Sequence, residues 1–131
     1  MDIVNEKNIK RVVIDSISSL ISATIDKFEV REFLINLVGF FKTKEITCLA
    51  NYLMSENFGA SRGQLLGNLS SNEMRLRSIV DGVILLRYVE REQSVRKLCN
   101  ILKMRGSDHN KSIFEYEIKK EGFVLGDKFM I

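Results

Sequence analysis

Short apolar runs of two different periods divide this chain, and the change of period marks its organisation. Arg11-Val12-Val13-Ile14-Asp15 is a β-branched run that ends in an acid. Apolar on both faces, it suits a buried parallel strand better than an exposed antiparallel one. Ser16-Ile17-Ser18-Ser19-Leu20 then leaves the sheet through small hydroxyl residues. From Val30 to Thr43 the period becomes helical. Phe33, Leu37 and Phe41 fall at i, i+4 and i+8, Leu34 and Val38 widen the stripe, and Arg31, Glu32, Asn36 and Lys42 lie mostly off it. Asp26 or Glu29 favours the helix start through the macrodipole. Ile46-Thr47-Cys48-Leu49-Ala50 is the next strand. Strand, helix, strand predicts a βαβ unit, hence a parallel pair with a right-handed crossover.

Between Ser55 and Ser71 the period is lost, and Ser and Asn crowd around Gly59, Gly63 and Gly67. This stretch reads as a long loop with at most one helical turn, and loops of that length in a compact domain are usually functional or disordered. After Arg77 the pattern is β again. Asp81-Gly82 precedes the strand Val83 to Val89, and Glu90 to Ser94 turns it into a run from Val95 to Met104. Ile113 to Ile118 alternates faces, and Lys119-Lys120-Glu121-Gly122 turns it into Phe123-Val124-Leu125. The expected class is therefore α/β: parallel strands with a crossover helix, followed by an antiparallel β-meander. No internal repeat interrupts it.

At 131 residues, the chain has the length of one domain. Its 45% hydrophobic and 28% charged residues fit a globular protein, and no run approaches the ~20 apolar residues of a membrane span. The first residues, Met1 to Lys7, have neither the basic start nor the apolar core of a signal peptide, so a cytoplasmic location is the default expectation. Cys48 and Cys99 sit in apolar runs without metal-like spacing and read as buried free thiols. A net charge of +3 is too weak to argue for nucleic acid by itself. His109 is the only histidine, and no second ligand suggests a metal beside it.

Four stretches in order carry a family resemblance. Arg11 to Leu20 resembles the Walker B strand and following residues of KaiC-like ATPases of the RecA superfamily. Lys44-Glu45-Ile46-Thr47 leads into what looks like the next core strand, and Asp81 to Glu90 looks like a late one. Lys103-Met104-Arg105-Gly106-Ser107-Asp108-His109 is similar to the family's distinctive KMRGSxH segment. The resemblance spans about Lys10 to Leu125 and covers only the second half of the family's domain, from just before Walker B.

The resemblance implies roles for particular residues. Asp15, at the carboxyl end of a parallel strand where ligands bind in open α/β sheets, would be the Walker B acid holding a magnesium-bound water. Without the resemblance, an Asp capping a turn through Ser16 and Ser18 reads equally well. Lys103 and Arg105 alternate with Met104, so an extended strand points both cations the same way, which suits a polyphosphate. In the family this segment is implied to reach a neighbouring subunit's nucleotide, with Ser107 and His109 close by. The plain alternative is a solvated basic edge strand. Asn51, just past its strand, either senses the γ-phosphate or simply starts a loop.

No G-x-x-x-x-G-K-[ST] occurs, so the backbone cradle and lysine for the phosphates are not supplied by these residues. ATP and Mg²⁺ are thus implied as cofactors, while the chain by itself is expected not to bind or hydrolyse ATP. The expected partners are copies of itself or a chain supplying the phosphate-loop half, since a half domain leaves a strand edge and apolar faces open. Two alternatives stand beside this reading. One is a non-catalytic oligomerisation module of the same ancestry. The other is a DNA-binding relative using Arg62, Arg75 and Arg77 around the glycine-containing loop. Ser78 lies near the autophosphorylated hydroxyls of KaiC, but with Arg77 beside it the paired hydroxyl pattern is broken.

Overall fold

The structure, a computed structural model, describes residues 2–23, 26–53 and 76–130. These fall into two compact units, the first holding the described residues up to Ile79 and the second those from Val80 onward. The glycine-containing stretch, with Arg62 and Arg75, lies outside the described residues.

The first unit opens with a short helix α1 (Asp2–Glu6), which the hydropathy pattern does not announce. Strand β1 (Arg11–Ile14) follows, then α2 (Ile17–Ser22), α3 (Lys27–Thr43) and β2 (Thr47–Ala50). β1 and β2 pair in parallel, with Val12 beside Cys48, Val13 beside Leu49 and Ile14 beside Ala50. This is the expected strand–helix–strand unit, and the residues after β1 form the helix α2 and not a bare exit loop.

Local chemistry fixes both ends of α3. Asp26 is its N-cap, accepting a hydrogen bond from the Phe28 backbone N–H at 2.8 Å, which satisfies one of the helix's unpaired donors. At the other end Glu45 takes a left-handed φ of 55°. The Ile46 N–H then reaches the Phe41 carbonyl at 2.8 Å and the Glu45 N–H reaches that of Lys42 at 3.1 Å. That pair of bonds is a Schellman closure. Leu34 and Phe41, from the predicted stripe, are buried together with Ile17 and Ile46 as the core of this unit. Val13 and Leu49 stay exposed.

The second unit is the meander: β3 (Gly82–Arg91), β4 (Ser94–Met104), β5 (Phe114–Lys119) and β6 (Gly122–Lys128), antiparallel in that order. Glu92 and Gln93 join β3 to β4 with φ of 50° and 62°, the two-residue type I′ geometry whose twist matches that of the strands. A bulge between Val83 and Ile84 shifts the register at the start of β3. Leu85 and Leu98, on one face, are buried; Tyr116 is buried on the other and stacks on Phe123 at 4.7 Å. Among the described residues, no helix is long and apolar enough to cross a membrane.

Candidate functional site

The two resembling motifs occupy different units. In the first, β1 and β2 end together, and their carboxyl ends are tied by backbone bonds. The Asn51 N–H donates to the Ile14 carbonyl at 3.0 Å, and the Asn51 carbonyl accepts from the Ile17 N–H at 3.0 Å. This double staple holds Asn51 at the tip of the parallel pair and ties it to Ile17, the first residue of α2. The Asn51 side-chain amide donates to Asp15 Oδ1 at 3.4 Å. The sequence reading places both residues at strand ends and does not foresee this contact between them.

Asp15 does not cap a turn through the serines. Among the described residues its carboxylate accepts from Asn51, while Ser16 Oγ lies 2.8 Å from Ser18 Oγ and 3.1 Å from Ser19 Oγ. Ser16 occupies the N-cap position of α2 without a side-chain cap bond. Ser18 Oγ also accepts from the Leu53 N–H at 3.3 Å, which fastens the segment after β2 to α2. The Asp15–Ser16 peptide is cis. Asp15 thus presents an exposed carboxylate just past the end of β1, at the edge where open α/β sheets bind ligands.

In the second unit the KMRGSxH segment leaves β4. Lys103 pairs with Val83 in the ladder and is half-buried, and Met104, opposite Gly82, is the last strand residue. Arg105 is therefore not on an extended strand beside Lys103, and the expectation of two cations alternating along one strand is corrected. The chain turns at Arg105 because Gly106 adopts a φ of +79°, a conformation glycine reaches without strain. Asp81 also captures Arg105 twice. The Arg105 backbone N–H donates to the Asp81 carbonyl at 2.7 Å, and its guanidinium Nη1 meets Asp81 Oδ1 at 3.2 Å. Asp81 is the member of this cluster that sequence reasoning missed: it lies 24 residues away, and only the β3–β4 register brings it close.

Ser107 is exposed and His109 half-buried in the turn that follows. Asp108 pairs with Lys111 at 3.5 Å, and Asn110 Oδ1 accepts the Ser112 N–H at 2.9 Å, so this turn is internally braced. Both cysteines are free and half-buried, and burial pushes each thiol above its ordinary pKa. No group of three or more His, Cys, Asp or Glu side chains gathers as a metal site among the described residues.

Comparison with known proteins identifies the family. The KaiC ATPase family model matches residues 1–128. Circadian clock protein KaiC3 of Synechocystis is 39% identical over 129 residues, covering 98% of this chain and 24% of that protein. The circadian clock oscillator protein KaiC of Thermostichus vulcanus is 36% identical over 119 residues, covering 91% of this chain and 21% of its own length. The chain thus spans less than a quarter of these two relatives. Among solved structures, a KaiC-like protein from the hyperthermophilic archaeon Pyrococcus horikoshii superposes with a TM-score of 0.73 at 25% identity, over 96% of this chain and 50% of that one. The α/β fold is shared with that structure, and the chain belongs to the KaiC family of RecA-fold ATPases.

Proposed function

We propose that the chain is the metal- and phosphate-facing second half of a KaiC-type ATPase, whose ATP site is completed only in trans by a neighbouring subunit or a partner carrying the phosphate-binding loop. The observation that carries this reading is the Asp15–Asn51 pair at the carboxyl end of the parallel strands.

The residues fit magnesium. This ion takes one or two carboxylates beside water and substrate phosphates, and does not need a cage of several acids. Asp15 offers an exposed carboxylate with one oxygen steadied by Asn51, and Ser16, the next residue, has its hydroxyl bonded to that of Ser18. Bound with ATP, the ion would offset charge on the β- and γ-phosphates. Asp15 would hold the ion through its bound water, with Asn51 orienting that carboxylate and serving as the γ-phosphate sensor.

In the second unit Lys103 acts as a point charge and Arg105 as a forked donor toward a neighbour's phosphates. Ser107 and His109 add hydrogen-bonding groups beside them. Arg105 exchanges its Asp81 partner for phosphate when a neighbour docks. Such an exchange is cheap, because the ion pair is about half exposed and surface pairs of this kind contribute only ~0–1 kcal/mol.

Two measurements test the proposal. Titrating the isolated chain with a fluorescent ATP analogue and Mg²⁺ is expected to show no binding at micromolar levels, and saturable binding there overturns completion in trans. Adding the chain to a KaiC relative whose own equivalent arginine has been replaced by alanine is expected to restore hydrolysis. Arg105→Ala in this chain is expected to lower that restored rate ~10-fold or more. A restored rate that ignores the substitution removes the finger role. No restoration at all favours the non-catalytic association module, the reading to which the exposed apolar side chains of the meander lend most weight.

A further inference from the structure

Asp81 and Arg105 flank the β3–β4 hairpin at its open end, one residue before β3 and one residue after β4. They meet because the ladder slips once. Ile84 pairs with Ile101, whereas Val83 pairs with Lys103, so Leu102 is an extra β4 residue in the register. Continued without that slip, the pairing would set Val83 against Leu102, Gly82 against Lys103 and Asp81 against Met104. With it, Gly82 meets Met104, and the next step brings Asp81 to Arg105. Bulges next to functional sites re-aim side chains in this way.

Two bonds of different character then hold the arginine. The Asp81 carbonyl accepts the Arg105 N–H at 2.7 Å and fixes where the side chain begins. The Asp81 carboxylate meets the guanidinium at 3.2 Å and engages the group that attracts anions. The first bond survives a change of the Asp81 side chain, and the second does not.

Both side chains are about half exposed, so competing ions can reach the pair. A pair in that setting holds by a factor of about five at most. A second single-charge anion gains little by taking the place of the carboxylate. A polyphosphate brings several charges and more acceptor oxygens, which the arginine fork binds bidentately. The carboxylate also repels an approaching phosphate, and such a repulsive element supplies specificity as much as an attractive one does.

We infer that Asp81 is a specificity-determining gate on Arg105, an internal carboxylate that withholds the guanidinium from weak or dilute anions and yields it to a polyphosphate. The gate rests on the reading of Arg105 as a phosphate-facing group. It adds regulation to that group: the undocked chain stays closed to dilute polyphosphate, and a nucleotide held at high local concentration by a docked neighbour opens it.

Asp81→Asn isolates the gate, because it removes the charge while keeping the shape and the backbone bond. Inorganic tripolyphosphate is titrated at low salt into the isotope-labelled chain, and the Gly106 amide signal is followed by NMR. The variants are Asp81→Asn, Asp81→Ala, Asp108→Asn, and Asp81→Asn combined with Arg105→Ala. Asp108 carries a carboxylate in the same turn but pairs with Lys111, so its neutralisation reports net charge alone. Affinity is expected to rise roughly fivefold in both Asp81 variants. It should stay within about twofold of native in Asp108→Asn, and return to native or below when Arg105→Ala is added. The rise should also shrink as salt is added, since exposed pairs are screened. Equal affinity in the native chain and both Asp81 variants, no binding by any of them, or an equal rise in Asp108→Asn overturns the gate. Should Asp81→Asn lose the native spectrum, Asp81→Ala decides alone. Hydrolysis does not enter this readout, so the gate and completion in trans fail separately.

Discussion

At the scale of single residues, the proposed chemistry rests on two contacts of different kinds. Asp15 is placed by the backbone: β1 delivers it to the strand end, and the staple through Asn51 fixes the side chain that steadies it. Its carboxylate is exposed, and its hydrogen bond to Asn51 is long at 3.4 Å. Asp15→Ala should therefore leave the urea midpoint nearly unchanged, within ~0.5 kcal/mol, while abolishing any hydrolysis the chain restores in trans. A large stability loss would show that Asp15 has a structural role. Arg105 is instead placed by its partner. Removing the side chain leaves its backbone bond to Asp81 intact, so Arg105→Ala is expected to cost at most ~1 kcal/mol. Gly106 is the less tolerant neighbour. Nothing lies within 4 Å of where its Cβ would sit, so Gly106→Ala tests conformation without a clash, and a φ of +79° should cost ~1–2 kcal/mol in chemical denaturation. The position of Asp15 was legible in the residues because an apolar run ending in acid marks a strand end. The partner of Arg105 was not, because it depends on the pairing of β3 with β4 and on the backbone freedom of one glycine.

At the scale of elements, periodicity located the strands and the long helix, and side-chain and backbone geometry set their ends. The stripe of Leu34 and Phe41 is what α3 buries, and Asp26, already expected to favour the helix start, caps it by a direct bond. Asp26→Ala should lower stability by ~1 kcal/mol. The β3–β4 turn was legible only as a polar interval, because Glu92-Gln93 carries none of the glycine or asparagine that usually announces a type I′ turn. Both residues bear a positive φ at some cost, and that cost is recoverable. The double substitution Glu92→Asn with Gln93→Gly should raise the unfolding midpoint by roughly 1 kcal/mol. A loss would mean that the turn has another geometry. The helix α2 went unread since its six residues, Ile17 to Ser22, include three serines and too little apolar pattern to set a period.

At the scale of the whole molecule, three groups across both units make stability depend on alkaline pH in one direction. Cys48 in the first unit and Cys99 in the second have thiols raised above their ordinary values by burial. The Tyr116 hydroxyl is raised by burial and further by Tyr88 and Cys99 beside it. Each group is neutral when protonated, and the folded state resists its ionisation. Below the unfolded thiol range, near pH 8.5, both states hold the proton and the native preference is fully present. As pH climbs through the raised native values, the unfolded chain releases its protons first, and stability falls. The urea midpoint should therefore be insensitive to these groups around neutrality and decline above about pH 8.5. Replacing Cys48 and Cys99 by alanine should flatten the first part of that decline and leave the later tyrosine part. A midpoint that rises with pH across this window would reverse the sign and place the thiols in surroundings that favour the thiolate.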